Sequence, residues 1–581
     1  MLTTASGSTC STLLRRAGYF AGAFIDTFIL VPCLRSIRPL HFFKVTLSLV
    51  LITCAAQFVV RTWQWPLVGD ATLMRYVVFL MRHGMAPYRD IIDMNMPGSY
   101  LAEWLAMHLF GAGAMGLRLF DFALLATAIA AMLVIAWPVD WFAGLYAGVL
   151  LLLIHGRDGV AQGGQRDLVV AVLMLAGYAL QFHTLRSGVR GHGVCRSGRV
   201  SGSFAGSTAN SRWLGSRWLG TLLCGVCLSA AATIKPTFAP LGPMLLGMAV
   251  FTLCRRGRPW REHLYGGIVG LLLPVIVVLV FLWREHAVAA FVGILRGLVP
   301  YHATIDRQPM SYFVTHSIAS LLLPLAVLWL VLLLARKVSG SEEARHGWEE
   351  YALLIGFAFG VLSLVVQGKG YPYHRYPSEA FLLLMAALES MRALRFSSQP
   401  WRMVVAVACL GFGALWLAPA SLAKAAQYDW RNQDFSMMLQ TDLNSLGGAA
   451  LSGRVQCMDT TAGCITTLYR MQLVQSTGTL YDCYLFATPQ THVTSELRET
   501  FRRQLAQRQP DVFVVTNQEC LHVASDYRKL SQWPEFQQYL DANYTLYTER
   551  QPTRRVTWWS QSLPPFGYRI YVRKGSDLPR R

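Results

Sequence analysis

Three aspartates lie in one polar segment that follows the first long apolar stretch of the chain. Asp70 comes first, and Asp90 and Asp93 stand three residues apart in a turn that ends before Pro97. An ionised carboxylate costs free energy close to lipid, so carboxylates at the edge of a membrane are often functional. Such a group can act as a general base or bind a cation. Segment 62–116 is therefore predicted to carry chemistry.

Asp70 is the leading candidate for a general base. Its carboxylate could take the proton of an acceptor hydroxyl while that oxygen attacks carbon, and such help is worth about 10²- to 10⁴-fold in rate. The alternative is structural, because Asp70 also stands where it could cap a helix beginning at Ala71. We favour the base, since ionisable groups at membrane edges are often functional.

Asp90 and Asp93 have two functional readings and one structural alternative. On a helix they would share a face, and in a loop they could bracket a cation or the acceptor. A divalent metal is therefore left open as a cofactor, although no metal ligands are assigned. The alternative is a solvated turn before Pro97. Arg89 is expected to pair with one of the two aspartates, and Tyr88 offers an aromatic face for binding.

Basic residues recur at the predicted outer ends of later apolar segments, where they could stabilise the charge of a departing phosphate. They are Arg166, Lys235, Lys369, His374 and Arg375. Lys235 is the sharpest candidate, because an amine followed by Pro236 at the end of an apolar span is costly without an anionic partner. Its alternative is snorkelling to the interface. For Arg166 the expected partner is Asp167, in a structural ion pair.

The elements that must position these residues are membrane-spanning helices. The chain has 581 residues, of which 54% are hydrophobic and 14% charged, and its mean hydropathy is +0.36. Soluble domains carry about 25% charged residues. A helix needs about 17–25 apolar residues to cross a bilayer. Eleven spans are predicted, at 44–61, 117–137, 140–155, 166–183, 219–234, 237–254, 264–283, 313–335, 350–366, 378–395 and 402–420.

The distribution of arginine and lysine predicts the orientation. Cytoplasmic loops carry an excess of these residues. The N-terminal segment 1–43 and the loops 184–218, 255–262 and 392–402 are arginine-rich, and all fall inside when the N-terminus is cytoplasmic. An odd number of spans then places residues 421–581 outside. Segment 62–116 becomes the first outer loop, and 44–420 the transmembrane domain.

Net charge and cysteines exclude some classes of function. The formal charge is +20, but residues 425–581 hold 17 basic and 14 acidic side chains, so most of the excess is topological and nucleic acid is not expected as a partner. The pair Cys224 and Cys227 lies in an apolar span, where helix packing is favoured over zinc or redox chemistry. Four cysteines of the outer tail allow two disulfides in three connectivities; they are Cys457, Cys464, Cys483 and Cys520.

Pattern changes mark the other segments. Residues 17–33 are predicted to form an interfacial helix, and the Gly-, Ser- and Arg-rich stretch 187–217 a mobile linker. In the tail, alternating short apolar runs predict a small α/β domain. Its strands are expected at 454–458, 511–515 and 568–572, and its helices at 496–506 and 535–540.

The first outer loop resembles that of the GT-C glycosyltransferases, most closely bacterial relatives of the protein mannosyltransferases and lipid A aminoarabinose transferases. The resemblance is carried, in order, by Asp70, Tyr76, Gly84, Pro87-Tyr88-Arg89-Asp90, Asp93 and Pro97-Gly98. It implies a polyprenyl-phosphate-linked sugar donor, inverting transfer to a cell-envelope glycan, lipid or protein on the periplasmic face of the bacterial inner membrane, and Asp70 as the catalytic residue. This chain departs from many relatives at Ala71 and at Asn95-Met96.

The predicted fold is thus a polytopic α-helical membrane protein with a C-terminal α/β extracytoplasmic domain. The predicted function is a glycosyltransferase with a lipid-linked donor. The rival class is a transporter or flippase of a lipid-linked sugar, which should place ionisable groups near the bilayer midplane. Here they gather at one rim, although Asp121 and Glu379 lie slightly inside their spans. A third hypothesis is that the site of the family is degenerate in this chain and that the outer domain acts as a binding module.

Overall fold

The computed structural model describes the chain from residue 37 to residue 579 with gaps. The described residues are 37–190, 208–313, 315, 322–338, 347–426, 434–488, 490–520, 526–551, 556–558, 561–563 and 566–579. The predicted interfacial helix at 17–33 lies outside them, as does most of segment 1–43.

The first half of the chain is a series of helices. In chain order they are α1 (Ile37–Thr62), α2 (Gly69–Arg82), α3 (Pro97–Phe110), α4 (Ala114–Ala136), α5 (Trp141–Asp158), α6 (Arg166–Arg190), α7 (Thr208–Ile234), α8 (Leu241–Arg255), α9 (Arg261–Arg284), α10 (Val288–Arg296) and α11 (Leu298–Thr304). The predicted linker 187–217 is wrong at both ends, because 187–190 continue α6 and 208–217 begin α7.

The second half of the membrane region is also helical. It contains α12 (Leu323–Val338), α13 (Trp348–Gln367), α14 (Tyr376–Phe396), α15 (Pro400–Gly411), a π-helical turn at Phe412–Leu417, and α16 (Ala418–Ala426). The π-helical turn keeps α15 and α16 in one continuous rod.

Eight helical segments among the described residues are long and apolar enough to cross a membrane, so the chain is an integral membrane protein. They are Pro39–Thr62, Ala114–Ala136, Arg166–Arg186, Arg217–Ile234, Pro236–Arg255, Arg261–Arg284, Trp348–Gln367 and Pro400–Ala425. The three further predicted spans overlap α5, α12 and α14. Helix α12 has 16 described residues. Helices α5 and α14 lie inside the bundle, and nearly all of their residues are buried. The total of eleven stays a prediction.

Polar segment 62–116 is folded rather than an open loop. It forms α2 and α3, which pack on each other and on the C-terminal region, defined here as residues 434–579. The hydroxyl of Tyr76 donates to the carbonyl of Leu473 at 3.0 Å and accepts from the backbone N–H of Gln475 at 2.9 Å. The N–H of Ile92 donates to the carbonyl of Gly478 at 2.9 Å. The C-terminal region is therefore seated directly on segment 62–116.

The C-terminal region combines helices with a small sheet. Its helices are α17 (Asp434–Leu446), α18 (Cys464–Met471), α19 (Cys483–Phe486), α20 (His492–Gln507) and α21 (Pro534–Asn543). Its strands are β1 (Val455–Met458), β2 (Val512–Thr516), β3 (Tyr544–Arg550), β4 (Val556–Trp558), β5 (Gln561–Leu563) and β6 (Tyr568–Arg573). The main sheet has the order β1-β2-β6-β3, with β1 parallel to β2 and the other pairs antiparallel.

The α/β character of this region agrees with the sequence prediction. All five predicted elements overlap observed ones, whereas β3, β4, β5, α17, α18 and α19 were not predicted. Cysteines pair as Cys457–Cys464 and Cys483–Cys520, which selects one of the three connectivities.

Ion pairs mark the end of the bundle opposite the C-terminal region. Arg186 bonds Glu349 at 2.6 Å, and Arg336 bonds both Glu350 and Glu389, at 2.6 and 2.9 Å. These residues belong to the ends predicted to face the cytoplasm.

Candidate functional site

A cavity of about 280 Å³ opens between the bundle, segment 62–116 and the C-terminal region. It lies at the ends of the spans, because α6 begins at Arg166, α7 ends just before Lys235, and α13 ends at Gln367. Five predicted site residues line it, namely Asp70, Arg166, Lys235, Lys369 and His374. These five come from four different parts of the chain.

Asp70 and Arg166 form the ionic centre of the cavity. Arg166 Nη2 donates to Asp70 Oδ2 at 3.1 Å, and the Tyr373 hydroxyl donates to the same oxygen at 3.3 Å. Asp70 lies in the first turn of α2, which Gly69 enters with a φ of +63° that favours glycine. The N-cap residue is Val68, so the alternative that Asp70 caps a helix starting at Ala71 is wrong.

Arg166 is only partly satisfied by these contacts. Its Nε atom is buried and has no hydrogen-bond partner among the described residues. The predicted ion pair with Asp167 is wrong, because the carboxylate of Asp167 turns to Lys235 instead. Arg166 also lines the cavity with a side chain that is 14% exposed, so its guanidinium can attract an anion there while it holds Asp70.

Lys235 extends from the break between two spans. Helix α7 ends at Ile234, and the short turn Pro236–Phe238 follows, so the lysine cannot continue the helix. Its Nζ lies 3.1 Å from Asp167 Oδ2 and donates to Gln367 Oε1. The ammonium is thus paired with a carboxylate of the protein, because an unpaired amine at the end of an apolar span costs free energy. The Lys235 side chain still lines the cavity.

Lys369 contacts a histidine rather than a carboxylate. Its Nζ is 2.8 Å from His302 Nε2. Burial, with Lys235 adding repulsion, lowers the pKa of Lys369 to about 8. Burial and the charge of Lys369 lower the pKa of His302 to about 3, so the imidazole is neutral at physiological pH and can accept the bond.

His374 lies in the short helical turn Pro372–Arg375. It is buried, and its Nδ1 has no hydrogen-bond partner among the described residues. Burial, followed by the charges of Lys235 and Arg166, lowers its pKa well below the usual value. A neutral imidazole thus lines the same cavity as three cationic side chains.

Apolar side chains form the other wall of the cavity. They are Ile234, Pro236, Val299, Ala303, Ile305 and Val366. This wall joins α7, α11 and α13 at the level where the spans end. It is suited to a hydrocarbon chain that enters from the membrane.

The cavity also contains residues that sequence reasoning missed. They are His302 together with Tyr371, Tyr373, Tyr481 and Tyr484. The cluster Tyr371-Pro372-Tyr373-His374 was a usable signal, because three aromatic rings stand in one short connection. His302, Tyr481 and Tyr484 had no signal, because nothing in their local sequence indicates which helix ends they face.

Tyr88 and Asp93 do not line the cavity but bond to residues that form its wall. Asp93 is fully buried, accepts from Tyr100 Oη at 2.7 Å and from Asn95 Nδ2 at 2.9 Å, and burial raises its pKa. The Tyr88 hydroxyl donates to the carbonyl of Asn95 at 2.6 Å. Since Met94, Asn95 and Met96 do line the cavity, these bonds fix the shape of its wall.

Arg89 and Asp90 lie outside the cavity. Arg89 Nη2 is 2.8 Å from Asp90 Oδ2, which confirms the expected pairing of Arg89 with one of the aspartates. Both side chains are partly exposed. The carbonyl of Asp90 accepts from Gln504 Nε2 at 2.9 Å, so this turn contacts the C-terminal region.

Arg375 is not brought to the cavity. Its guanidinium lies inside the bundle, 2.6 Å from Asp158 and 2.9 Å from Glu379. It follows His374 directly, but the helical turn sends the two side chains in different directions. The predicted convergence of His374 and Arg375 on one ligand therefore does not occur, and Glu379 is paired inside the bundle.

Asp121 is likewise held inside the bundle. It contacts Arg118 Nη1 at 2.5 Å and His155 Nε2 at 3.1 Å, and it accepts the N–H of Gly164 at 3.0 Å. Within the described part of the chain, no three His, Cys, Asp or Glu side chains cluster closely enough to hold a metal ion. The open prediction of a divalent metal thus gains no candidate site there.

The chain is similar to solved structures only at low sequence identity. No family model and no curated protein matches the chain. Among solved structures, ArnT from Cupriavidus metallidurans bound to undecaprenyl phosphate is 14% identical, over 90% of this chain and 97% of that one, with a TM-score of 0.49. The Archaeoglobus fulgidus oligosaccharyltransferase tethered to an acceptor peptide is 13% identical, over 88% and 74%, with a TM-score of 0.46.

Both neighbours are GT-C superfamily enzymes, the superfamily that segment 62–116 resembles.

Proposed function

We propose that this protein is a membrane glycosyltransferase that moves a sugar from a polyprenyl-phosphate donor to an acceptor at the outer face of the membrane. The observation that carries the proposal is the lining of the cavity. Among the described residues, one carboxylate, Asp70, shares it with the cationic side chains of Arg166, Lys235 and Lys369, next to an apolar wall. A lipid-linked phosphate has the complementary chemistry, an anion on a hydrocarbon chain.

The cationic side chains are proposed to hold the donor phosphate. The guanidinium of Arg166 and the ammonium of Lys369 line the cavity and can donate to its oxygens, and Lys235 at the end of α7 adds positive charge. Preorganised donors of this kind stabilise the charge that develops on a leaving group. The imidazole of His374 lines the same cavity as a neutral group.

Asp70 is proposed as the general base. The acceptor O–H or N–H gives its proton to Asp70 Oδ1 or Oδ2 while the acceptor atom forms a bond to the anomeric carbon. The bond from that carbon to the phosphate oxygen breaks, and its electron pair stays on the phosphate. Attack opposite to the leaving phosphate inverts the anomeric configuration. The ion pair with Arg166 orients the carboxylate for this step.

The polyprenyl chain is proposed to follow the apolar wall formed by α7, α11 and α13. These helices end beside the phosphate-binding side chains, so the lipid can stay in the membrane while its head group reaches the cavity. Residues 421–581 then form an outer domain that closes the site. The membrane is proposed to be a bacterial inner membrane, with the N-terminus on its cytoplasmic side.

The arrangement of charge supports transfer over transport. A transporter would need ionisable groups free to bind substrate near the bilayer midplane. The two acidic groups that lie slightly inside their predicted spans, Asp121 and Glu379, instead form ion pairs with Arg118 and Arg375.

The proposal is tested with purified protein in lipid nanodiscs, a panel of radiolabelled undecaprenyl-phosphate sugars and a cell-envelope extract. Label should move to the extract, and undecaprenyl phosphate should compete whereas undecaprenol should not. No transfer with any donor, together with translocation of the labelled lipid across vesicles, would overturn the proposal in favour of a flippase.

A further inference from the structure

Lys369 differs from the other cationic side chains of the cavity in its partner. Arg166 and Lys235 each lie 3.1 Å from a carboxylate. Lys369 forms no salt bridge among the described residues, and it is 5% exposed. The atom that fixes its ammonium is His302 Nε2, at 2.8 Å. Its ammonium is therefore not paired with a carboxylate at salt-bridge distance among these residues and can contact an anion in the cavity.

The bond from Lys369 determines the direction of a longer chain of hydrogen bonds. An ammonium has donors and no acceptor, so His302 Nε2 must accept and its proton must be on Nδ1. His302 Nδ1 is 2.7 Å from Tyr484 Oη and donates to it. The Tyr484 hydroxyl then donates to Met94 Sδ at 2.6 Å. One tautomer of His302 satisfies every contact.

Four segments of the protein supply the residues of this chain of hydrogen bonds. Met94 belongs to segment 62–116, His302 to α11, and Lys369 to the connection after α13. Tyr484 belongs to α19 in the C-terminal region, next to Cys483, whose disulfide to Cys520 joins α19 to the segment after β2. The position of the C-terminal region thus sets the position of the imidazole.

The groups that face Lys369 act in both directions on its charge. Burial lowers the pKa of Lys369 most. Asp306 and Asp70 raise this pKa, whereas Lys235 lowers it. Asp306 is itself bonded by Tyr371 at 2.9 Å. The ammonium is therefore sensitive to whether its immediate neighbour accepts or donates a hydrogen bond.

We propose that Tyr484 and His302 are positioning residues that hold Lys369 as the cation for the donor phosphate. This rests on the proposed function. Tyr484 acts through His302, because its oxygen keeps the proton on Nδ1 and the lone pair on Nε2. The C-terminal region thereby contributes to phosphate binding without a direct contact to phosphate.

The test measures binding of undecaprenyl phosphate to the purified full-length protein in nanodiscs, from pH 6.5 to pH 9.5. In Tyr484→Phe the Nδ1–H has no acceptor, so the imidazole can adopt the Nε2–H tautomer, which repels the ammonium. We expect about tenfold weaker binding, the loss typical of a hydrogen bond to a charged group, and an alkaline midpoint at lower pH. Tyr301→Phe is the matched control, because this neighbour on α11 accepts only from Thr494 among the described residues.

Three further variants separate positioning from a general structural role. Lys369→Met should weaken binding and remove the alkaline limb, and Tyr484→Phe should then add no further loss. His302→Gln keeps an acceptor and a donor and should bind within about threefold of wild type, whereas His302→Leu should resemble Tyr484→Phe.

Each outcome decides between the two proposals. Additive losses in the double variant, or an unchanged pH profile in Tyr484→Phe, would overturn the positioning role and leave the proposed function standing. If the wild type does not bind undecaprenyl phosphate, the proposed function itself fails.

Discussion

Arg166 Nη2 donates to Asp70 Oδ2 over 3.1 Å, although the two residues are 96 positions apart in the chain. This bond joins the first turn of α2 to the first turn of α6. It places the only carboxylate that lines the cavity, among the described residues, beside a guanidinium that lines the same cavity. The base and the anion-binding group proposed for the reaction are thus held as one unit.

Asp70→Asn should lower the rate of sugar transfer by about 10²- to 10⁴-fold, the usual contribution of a general base. Binding of undecaprenyl phosphate should persist, because Arg166, Lys235 and Lys369 are unchanged. Steady-state transfer and equilibrium binding measure the two effects separately. Asp541→Asn removes an exposed carboxylate of α21 and should behave as wild type. Equal transfer by Asp70→Asn and wild type would eliminate the assigned base.

Affinity for undecaprenyl phosphate should fall as the pH rises above 8. The pKa of Lys369 is lowered to about 8 by burial and by Lys235, so the ammonium is present below that pH and lost above it. The loss should reach up to about tenfold per pH unit, since one proton is coupled to binding. The second ionisation of a phosphate, near pH 6, lies below this window. Titration of binding against pH provides the measurement.

Lys369→Arg is the control for that pH dependence. A guanidinium stays charged throughout the range, so binding by this variant should be flat up to pH 9.5. A wild-type profile that is equally flat would show that Lys369 does not carry the effect.

Arg375→Met should destabilise the protein rather than change its ligand affinity. It leaves the carboxylates of Asp158 and Glu379 buried without their cation, and breaking a buried pair costs about 3–5 kcal/mol. The thermal midpoint in nanodiscs should fall, while the folded fraction should bind undecaprenyl phosphate as wild type does. Weaker binding at an unchanged midpoint would instead support the sequence-based prediction that Arg375 binds substrate.

The disulfide Cys483–Cys520 should stabilise the part of the C-terminal region that faces the cavity. It closes a separation of 37 residues, and such a crosslink contributes about 2–4 kcal/mol. Replacing both cysteines by alanine should make α19 more sensitive to limited proteolysis and slow transfer. Cys254→Ala removes an exposed free thiol and should have neither effect. Identical digestion of the two variants would argue against this role.

Local pattern was enough to predict much of the fold. Hydropathy over some twenty residues decides whether a helix can lie in lipid, so the eight candidate spans were all foreseen. Alternation along the chain indicated β1, β2 and β6 in the same way. Strand β3 was missed because a register shift between Leu546 and Thr548 breaks its alternation and leaves Leu546 exposed.

The sequence by itself determined that a carboxylate and several cations stand at the ends of apolar spans, because the bilayer penalises charge wherever the chain passes through it. Tertiary structure alone decided which of them meet. Lys369 and His374 line the same cavity as Asp70, whereas Arg375 is paired with Asp158 inside the bundle. His302 and Tyr484 line the cavity as well. The reason is physical: spacing along the chain specifies height across the membrane, but the lateral order of helices depends on packing between residues distant in sequence.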